Sequence, residues 1–186
     1  MPLKPSPGDP FGVLGMTQAE LNSLLHPVRV SLRQLSTIAA VPISWLWQGR
    51  IPRGKVTLIV GDPGLGKTTA AIDIAARITA GRPMPGETVA QTPADVLIAS
   101  AEDDPADTIR PRFEAANGDL TRVHILGNAF RRDDQEYGLT LADVDALAAA
   151  LDGAVNPAMM IIDPLSAYLG DVDSHNNSAL RGMLTP

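Results

Sequence analysis

Residues 61–68 read Gly61, Asp62, Pro63, Gly64, Leu65, Gly66, Lys67 and Thr68, the spacing G-x-x-x-x-G-K-[ST]. Glycine removes the Cβ barrier, so consecutive backbone N–H groups can converge on phosphate oxygens. A helix starting at Lys67 would point its positive end at the same place. The Lys67 ammonium can reach the β- and γ-phosphates of a nucleoside triphosphate, and the Thr68 hydroxyl can complete the shell of a Mg²⁺ ion. Thr69, next on the helix, belongs to the same group. A chain with 16 Gly would match this spacing by chance roughly 0.002 times, so an ordinary glycine-rich turn is a poor explanation.

A triphosphate site also needs an acid near the metal and a group that orients or deprotonates water. Asp163 closes the apolar run M-M-I-I at 159–162 and would hold Mg²⁺ opposite Thr68. Its structural alternative is a strand-end acid bonded to the following turn. Glu102 follows a second apolar run and is the candidate general base, with Asp103 and Asp104 as rivals. Its structural alternative is an acid favouring the dipole of the helix after Pro105.

These residues need a scaffold. V-T-L-I-V at 56–60 reads as a buried strand entering the loop. A helix is expected over 67–80 with Ile74 and Ile78 on one face and Gly81 as its stop. Further strands are expected at 95–100, 122–126 and 159–163. A helix running from Pro105 to about Ala116 should be kinked or divided by Pro111, with Gly118 near its end. A third helix, capped by Thr140, would place Leu141, Val144, Leu147 and Leu151 on one stripe. Strands alternating with helices argue an α/β fold, a mostly parallel sheet with helices on both faces. Residues 1–16 read as a flexible leader. T-Q-A-E at 17–20 is a capping box that starts a short helix.

The chain has 186 residues and a net charge of −6, with no cysteine. Disulfides, zinc–thiolate sites and thiol catalysis are therefore excluded. Residues 1–55 hold six basic and two acidic groups, a net of +4. The remaining nine basic and 19 acidic groups leave 56–186 at −10. A uniformly basic nucleic-acid footprint is absent. No apolar run approaches the roughly 20 residues that span a bilayer, and the start lacks a secretion signal. The expectation is a cytoplasmic protein with no membrane partner.

The ordered set W-L-W at 45–47, I-P-R-G-K at 51–55, the phosphate loop, A-E-D-D at 101–104 and I-I-D-P-L at 161–165 resembles RecA-like P-loop ATPases. Among these it is most similar to the RepA-type hexameric replicative helicases of plasmid and phage primase–helicases, which are AAA-type ATPases. The resemblance covers about residues 43–186, leaving 1–42 as leader and short helix. It implies a RecA-like core, ATP with Mg²⁺, a homo-oligomeric hexameric ring and 5′-to-3′ unwinding with single-stranded DNA as partner. It implies Lys67 and Thr68 as phosphate- and metal-binding residues, Glu102 as the catalytic glutamate and Asp163 as the Walker B aspartate. It also implies a DNA-contacting loop over 170–178, although Asp171 and Asp173 make that stretch acidic. Family members continue beyond the position of Pro186. The resemblance thus implies a C-terminally truncated core whose sensor and arginine finger are missing, along with a strand between 56–60 and 159–162. A regulatory or DNA-repair ATPase without unwinding activity, and a nucleotide-binding fragment without turnover, are the alternatives.

Smaller expectations complete the reading. Trp45 and Trp47 are expected to pack against the sheet edge; the alternatives are stacking on the adenine or facing a partner. Arg110 and Arg112 either contact phosphate in an assembled ring or pair with nearby acids, and pairing is the expectation, Arg110 with Asp107 or Glu114. Arg131 and Arg132 beside Asp133 and Asp134 read as a solvated loop, and His175 as a solvated loop histidine. No Ser–His–Asp set and no His or Cys metal cluster is present.

Overall fold

The computed structural model describes residues 31–127, 129–132 and 135–170. It divides into two units, Met1–Pro42 and Ile43–Pro186. Of the first unit, residues 31–42 are described. They form a single 3₁₀ turn, Leu35–Thr37, in which the Thr37 hydroxyl and amide both donate to the Gln34 carbonyl. The expected helix after Thr17, the loop beyond Gly170, His175 and Arg181 lie outside the described residues.

In the second unit a hairpin comes first, β1 (Trp45–Trp47) and β2 (Ile51–Pro52), antiparallel with Trp45 opposite Pro52. Helix α1 (Lys67–Thr79) follows the phosphate loop. Strand β3 (Asp95–Ser100) leads through a π-helical turn, Pro105–Ile109, into helix α2 (Arg110–Ala115). Strand β4 is Val123–Ile125. A second hairpin pairs β5 (Ala129–Arg132) with β6 (Gln135–Gly138). Helix α3 (Val144–Asp152) and strand β7 (Pro157–Asp163) follow, and a 3₁₀ turn, Leu165–Tyr168, is the last described element.

The central sheet has the order β4-β3-β7, all parallel. β3 lies between its neighbours and is buried on both faces, which suits its uninterrupted apolar sequence. Val96 and Ile98 face a core shared with Ile72, Ile78, Ile109 and Phe113, while Met159 and Ile161 of β7 pack against the same cluster. Leu97 and Ala99 alternate to the other face and are also buried.

Helix α1 ends as its sequence suggests. Gly81 takes φ 66°. Its N–H donates to Ile78 at 3.2 Å, and the Arg82 N–H to Arg77 at 2.8 Å, the paired bonds of a Schellman stop. A Cβ on Gly81 would meet the Gln91 carbonyl at 2.8 Å. Gln91 N–H in turn donates to the Gly81 carbonyl and Ala94 N–H to Ile78. The end of α1 is thereby stitched to the approach of β3.

Four expectations are corrected. Residues 56–60 form no strand: Val56, Leu58, Ile59 and Val60 are exposed, Val60 by 87%. Among the described residues this run has no strand to pair with, and without a ladder its N–H and C=O groups stay with water. Residues 129–138 pair as strands on either side of Asp133 and Asp134, which lie outside the described residues. Helix α3 starts at Val144 rather than at Thr140, because the Asp143 carboxylate accepts from both the Thr140 N–H (2.9 Å) and hydroxyl (2.8 Å) and holds a turn there. Helices do not cover both faces equally. α1 packs on β3 and β7 with α2 beside it, whereas α3 has no buried residue and Val144 is 65% exposed. Pro111 falls in the first turn of α2, where its missing N–H costs nothing, and the irregular π turn precedes it. Among the described residues no helix is long and apolar enough to cross a membrane.

One buried charge sits at the amino end of the sheet. Asp95 accepts from the Val155 N–H at 3.1 Å and from Arg122 at 3.1 Å, and lies 3.2 Å from the His124 ring. Burial pushes its carboxyl up, but the bonds to His124, Val155 and Arg122 outweigh this and hold it below the usual range. The folded value lies below the unfolded one. The stabilisation is therefore present above about pH 4 and is lost as pH falls through the folded value. We expect Asp95→Asn to cost about 1–3 kcal/mol near neutrality and to flatten the acid limb of a thermal-melt pH series; an unchanged acid limb would contradict this. Gly118 presses against the Phe113 ring so closely that a Cβ would enter it. Gly118→Ala should cost about 1–3 kcal/mol, read from urea unfolding, and a wild-type midpoint would refute the packing.

Candidate phosphate and metal site

The loop between residue 60 and α1 is built by its glycines. Gly64 and Gly66 take φ 80° and 79°, conformations that side-chain-bearing residues rarely adopt. Gly66 is the N-cap of α1 and offers no side chain to cap it. The Ala70 N–H donates to Gly66 at 2.9 Å, while the first-turn amides ahead of it belong to a helix start that gives them no carbonyl acceptor. Such a start favours an anion. Asp62, Pro63, Leu65 and Thr69 are exposed around it.

Lys67 bends back over this loop. Its ammonium donates to the carbonyls of Gly61 (2.9 Å) and Asp62 (3.0 Å). The cation is thus held above the same turn that supplies the amides. Thr68, one residue further on, turns the other way: its hydroxyl donates to Asp163 Oδ2 at 2.5 Å. That bond joins residues 95 positions apart and puts the phosphate loop at the end of β7.

The parallel register sets the rest. Ser100 lies opposite Asp163, and the Ala101 N–H donates to the Asp163 carbonyl at 3.1 Å. β3 and β7 therefore end together, and the A-E-D-D turn leaves the sheet beside Asp163. Within that turn the three acids differ. Asp103 accepts from Arg112 at 2.8 Å and its N–H donates to the Ser100 hydroxyl oxygen at 3.1 Å. Asp104 caps the π turn, accepting from the N–H groups of Ala106 (2.7 Å) and Asp107 (3.1 Å). Glu102 is exposed and makes no side-chain hydrogen bond or ion pair with the described residues. Its rivals are occupied with structure and Glu102 is not.

The oxygen pair Thr68 and Asp163 fits a hard cation that keeps waters and takes one or two protein oxygens plus phosphate. No cluster of three or more His, Cys, Asp or Glu exists among the described residues, so the geometry offers no all-protein metal cage. Nearby, Tyr168 is buried, and burial first, then the Asp163 charge, push its phenol above the usual value. The phenol stays protonated beside that carboxylate.

Ser100 was not singled out by the sequence, whereas Arg112 was expected to pair with a nearby acid and its partner is Asp103. Arg112 acts across nine residues and a π turn, a span that helical spacing does not predict. Arg110 does pair with Glu114 at 2.9 Å, one of its two expected partners. The tryptophans lie elsewhere. Leu46 between them is buried, Trp47 packs on the core, and Trp45 borders a cleft with Asn156 and Pro157 at the start of β7. Six strand steps, about 20 Å, separate that end from Asp163.

Comparison with known proteins agrees with this geometry at the level of family. The family model described as an AAA domain matches residues 22–186. No curated protein and no solved structure matches the chain. A match over most of the length, with the phosphate loop hydrogen-bonded to a strand-end aspartate, leads to one conclusion: the chain belongs to the AAA domain family, a family of P-loop nucleotide-binding ATPases.

Proposed function

We propose that this chain is the ATP-binding and ATP-hydrolysing motor domain of a RepA-type DNA helicase with a RecA-like core, acting in DNA replication. The observation that carries the catalytic part is the 2.5 Å bond from Thr68 to Asp163. It brings the loop's metal-binding hydroxyl to the carboxylate that the sequence reading pairs with it. The helicase part rests on the ordered motifs W-L-W, I-P-R-G, A-E-D-D and I-I-D-P.

The loop amides and the Lys67 ammonium bind the β- and γ-phosphates, and Lys67 exchanges its carbonyl partners for phosphate oxygens. Thr68 and Asp163 would hold Mg²⁺, which supplies charge neutralisation between the phosphates. Glu102 accepts a proton from a water whose oxygen attacks the γ-phosphorus. The bond from that phosphorus to the bridging oxygen breaks, and ADP leaves with its electron pair, giving ADP and inorganic phosphate. Single-stranded DNA and five further copies in a hexameric ring would convert this cycle into motion.

Three measurements test this reading. Lys67→Ala should abolish binding of a fluorescent ATP analogue; unchanged affinity would refute the loop assignment. Glu102→Gln should keep that binding and lower the Mg²⁺-dependent turnover about 10²–10⁴-fold, the range for loss of a general base. Turnover within threefold of wild type would remove Glu102 from the mechanism. Single-stranded DNA should raise the ATPase rate, and ATP should promote a six-membered ring on gel filtration. DNA-independent turnover without unwinding would sink the helicase part alone.

A further inference from the structure

The other end of the sheet carries a second feature that ATP hydrolysis does not use. A cleft of about 380 Å³ opens where β3 and β7 begin, bordered by Trp45, Gln48, Arg53, Glu87, Gln91 and Asn156. That volume is at the lower end of the range for small-molecule sites. Its position at the amino ends of the strands separates it from Asp163 by the length of β7.

The chemistry around the cleft is uneven. Among the described residues, Arg77, Arg110, Arg112, Arg122 and His124 are all paired with acids. Lys67 and Arg82 donate to backbone carbonyls. Arg50, Arg53 and Lys55 are exposed and have no acid partner. All three lie within six residues on the β1–β2 hairpin and its exit. In a chain of net charge −6, this corner keeps its positive charge unneutralised. Arg50 stacks 4.9 Å from the Trp47 ring centre, which fixes one guanidinium over an indole and shows that the hairpin supports cation–π geometry. The one acid bordering the cleft, Glu87, accepts from the Gln48 N–H at 2.9 Å.

Trp45 supplies an aromatic face, Arg53 a cation, and Gln48, Gln91 and Asn156 carboxamides. Gln91 is fixed by its own bond to the Leu46 carbonyl at 2.7 Å. An aromatic face takes a flat ring, carboxamides read donors and acceptors on that ring's edge, and a guanidinium takes a phosphate. We propose that this cleft binds one nucleotide unit, its base against Trp45 and its phosphate on Arg53, with Arg50 and Lys55 tracking any phosphate that continues along the hairpin. The unit comes either from a free nucleotide or from a single-stranded nucleic acid. This site is distinct from the triphosphate loop and does not depend on it.

The test uses the full chain carrying Lys67→Ala, which removes nucleotide binding at the loop. The probes are AMP, followed by tryptophan fluorescence, and a short fluorescein-labelled oligothymidylate, followed by anisotropy. At least one probe should bind, and Arg53→Gln and Trp45→Leu should each weaken it about tenfold or more. Trp45→Phe should restore most of the affinity. Arg53→Gln should also reduce the salt slope of oligonucleotide binding by about one, a change that a purely structural role would not produce. AMP binding without oligonucleotide binding identifies the free nucleotide, and the reverse identifies the strand. Because Arg53 is exposed and its side chain has no hydrogen-bond or ion-pair partner among the described residues, its variant carries the test if Trp45→Leu fails to fold. Absence of binding by both probes, binding unaffected by Arg53→Gln, or a preference for an oligoglutamate peptide at the same residues overturns the proposal. ATP-analogue binding by the unsubstituted chain is measured in parallel, so failure at the loop and failure at the cleft are read separately.

Discussion

One hydrogen bond organises the glycine-loop end of this protein. Thr68 is fixed by helix α1 and Asp163 by the last position of β7, and the hydroxyl of one donates to the carboxylate of the other. A phosphate loop on its own is a flexible, glycine-rich turn with an entropic cost to its order. Anchored at Thr68, it inherits the rigidity of a strand that is itself paired with β3 at six positions. The placement of Glu102 follows from the same strand, because β3 and β7 end in register and the acidic turn begins where they end. Loss of that register by one residue would turn Asp163 to the other face of the sheet and separate it from the loop.

Charge is handled differently at the two ends of the sheet. At the amino end Asp95 is buried and surrounded by Val155, Arg122 and His124, so its charge is spent on holding strands together. At the carboxyl end Asp103 holds the Arg112 guanidinium and Asp104 the backbone of the π turn, while Glu102 is left to solvent. A carboxylate already committed to a helix cap or an arginine is a poor proton acceptor for a substrate water. The division of labour within A-E-D-D therefore follows from hydrogen bonding alone.

The glycine turn and the helix start at Lys67 were legible in the sequence because they reside in spacing, and spacing is local. The apolar runs that became β3 and β7 were legible because a parallel strand buried on both faces leaves a continuous apolar signature. The run at 56–60 carries the same signature and did not become a strand. Sequence records a tendency to be extended and apolar, whereas a strand also needs a neighbour, and neighbours are a property of the whole sheet. The hairpin at 129–138 shows the converse: charged residues around 131–134 read as loop, yet the backbone pairs on either side. The start of α3 failed for a local reason, since Asp143 competed for the Thr140 donors. The clasp between Arg112 and Asp103 spans a π turn, an irregularity that no periodicity rule anticipates.

The stitched end of α1 has a mechanical consequence. One tip of this helix is the phosphate loop. The other is bonded through Gly81, Gln91 and Ala94 to the approach of β3, and Gln91 holds the Leu46 carbonyl of the hairpin as well. Thirteen residues of α-helix make a strut about 20 Å long with little slack at either joint. A strut so fastened cannot absorb a tug at its loop by fraying at the far tip. It must hand the tug on, as tilt or slide, to the tryptophan hairpin on the opposite rim of the molecule.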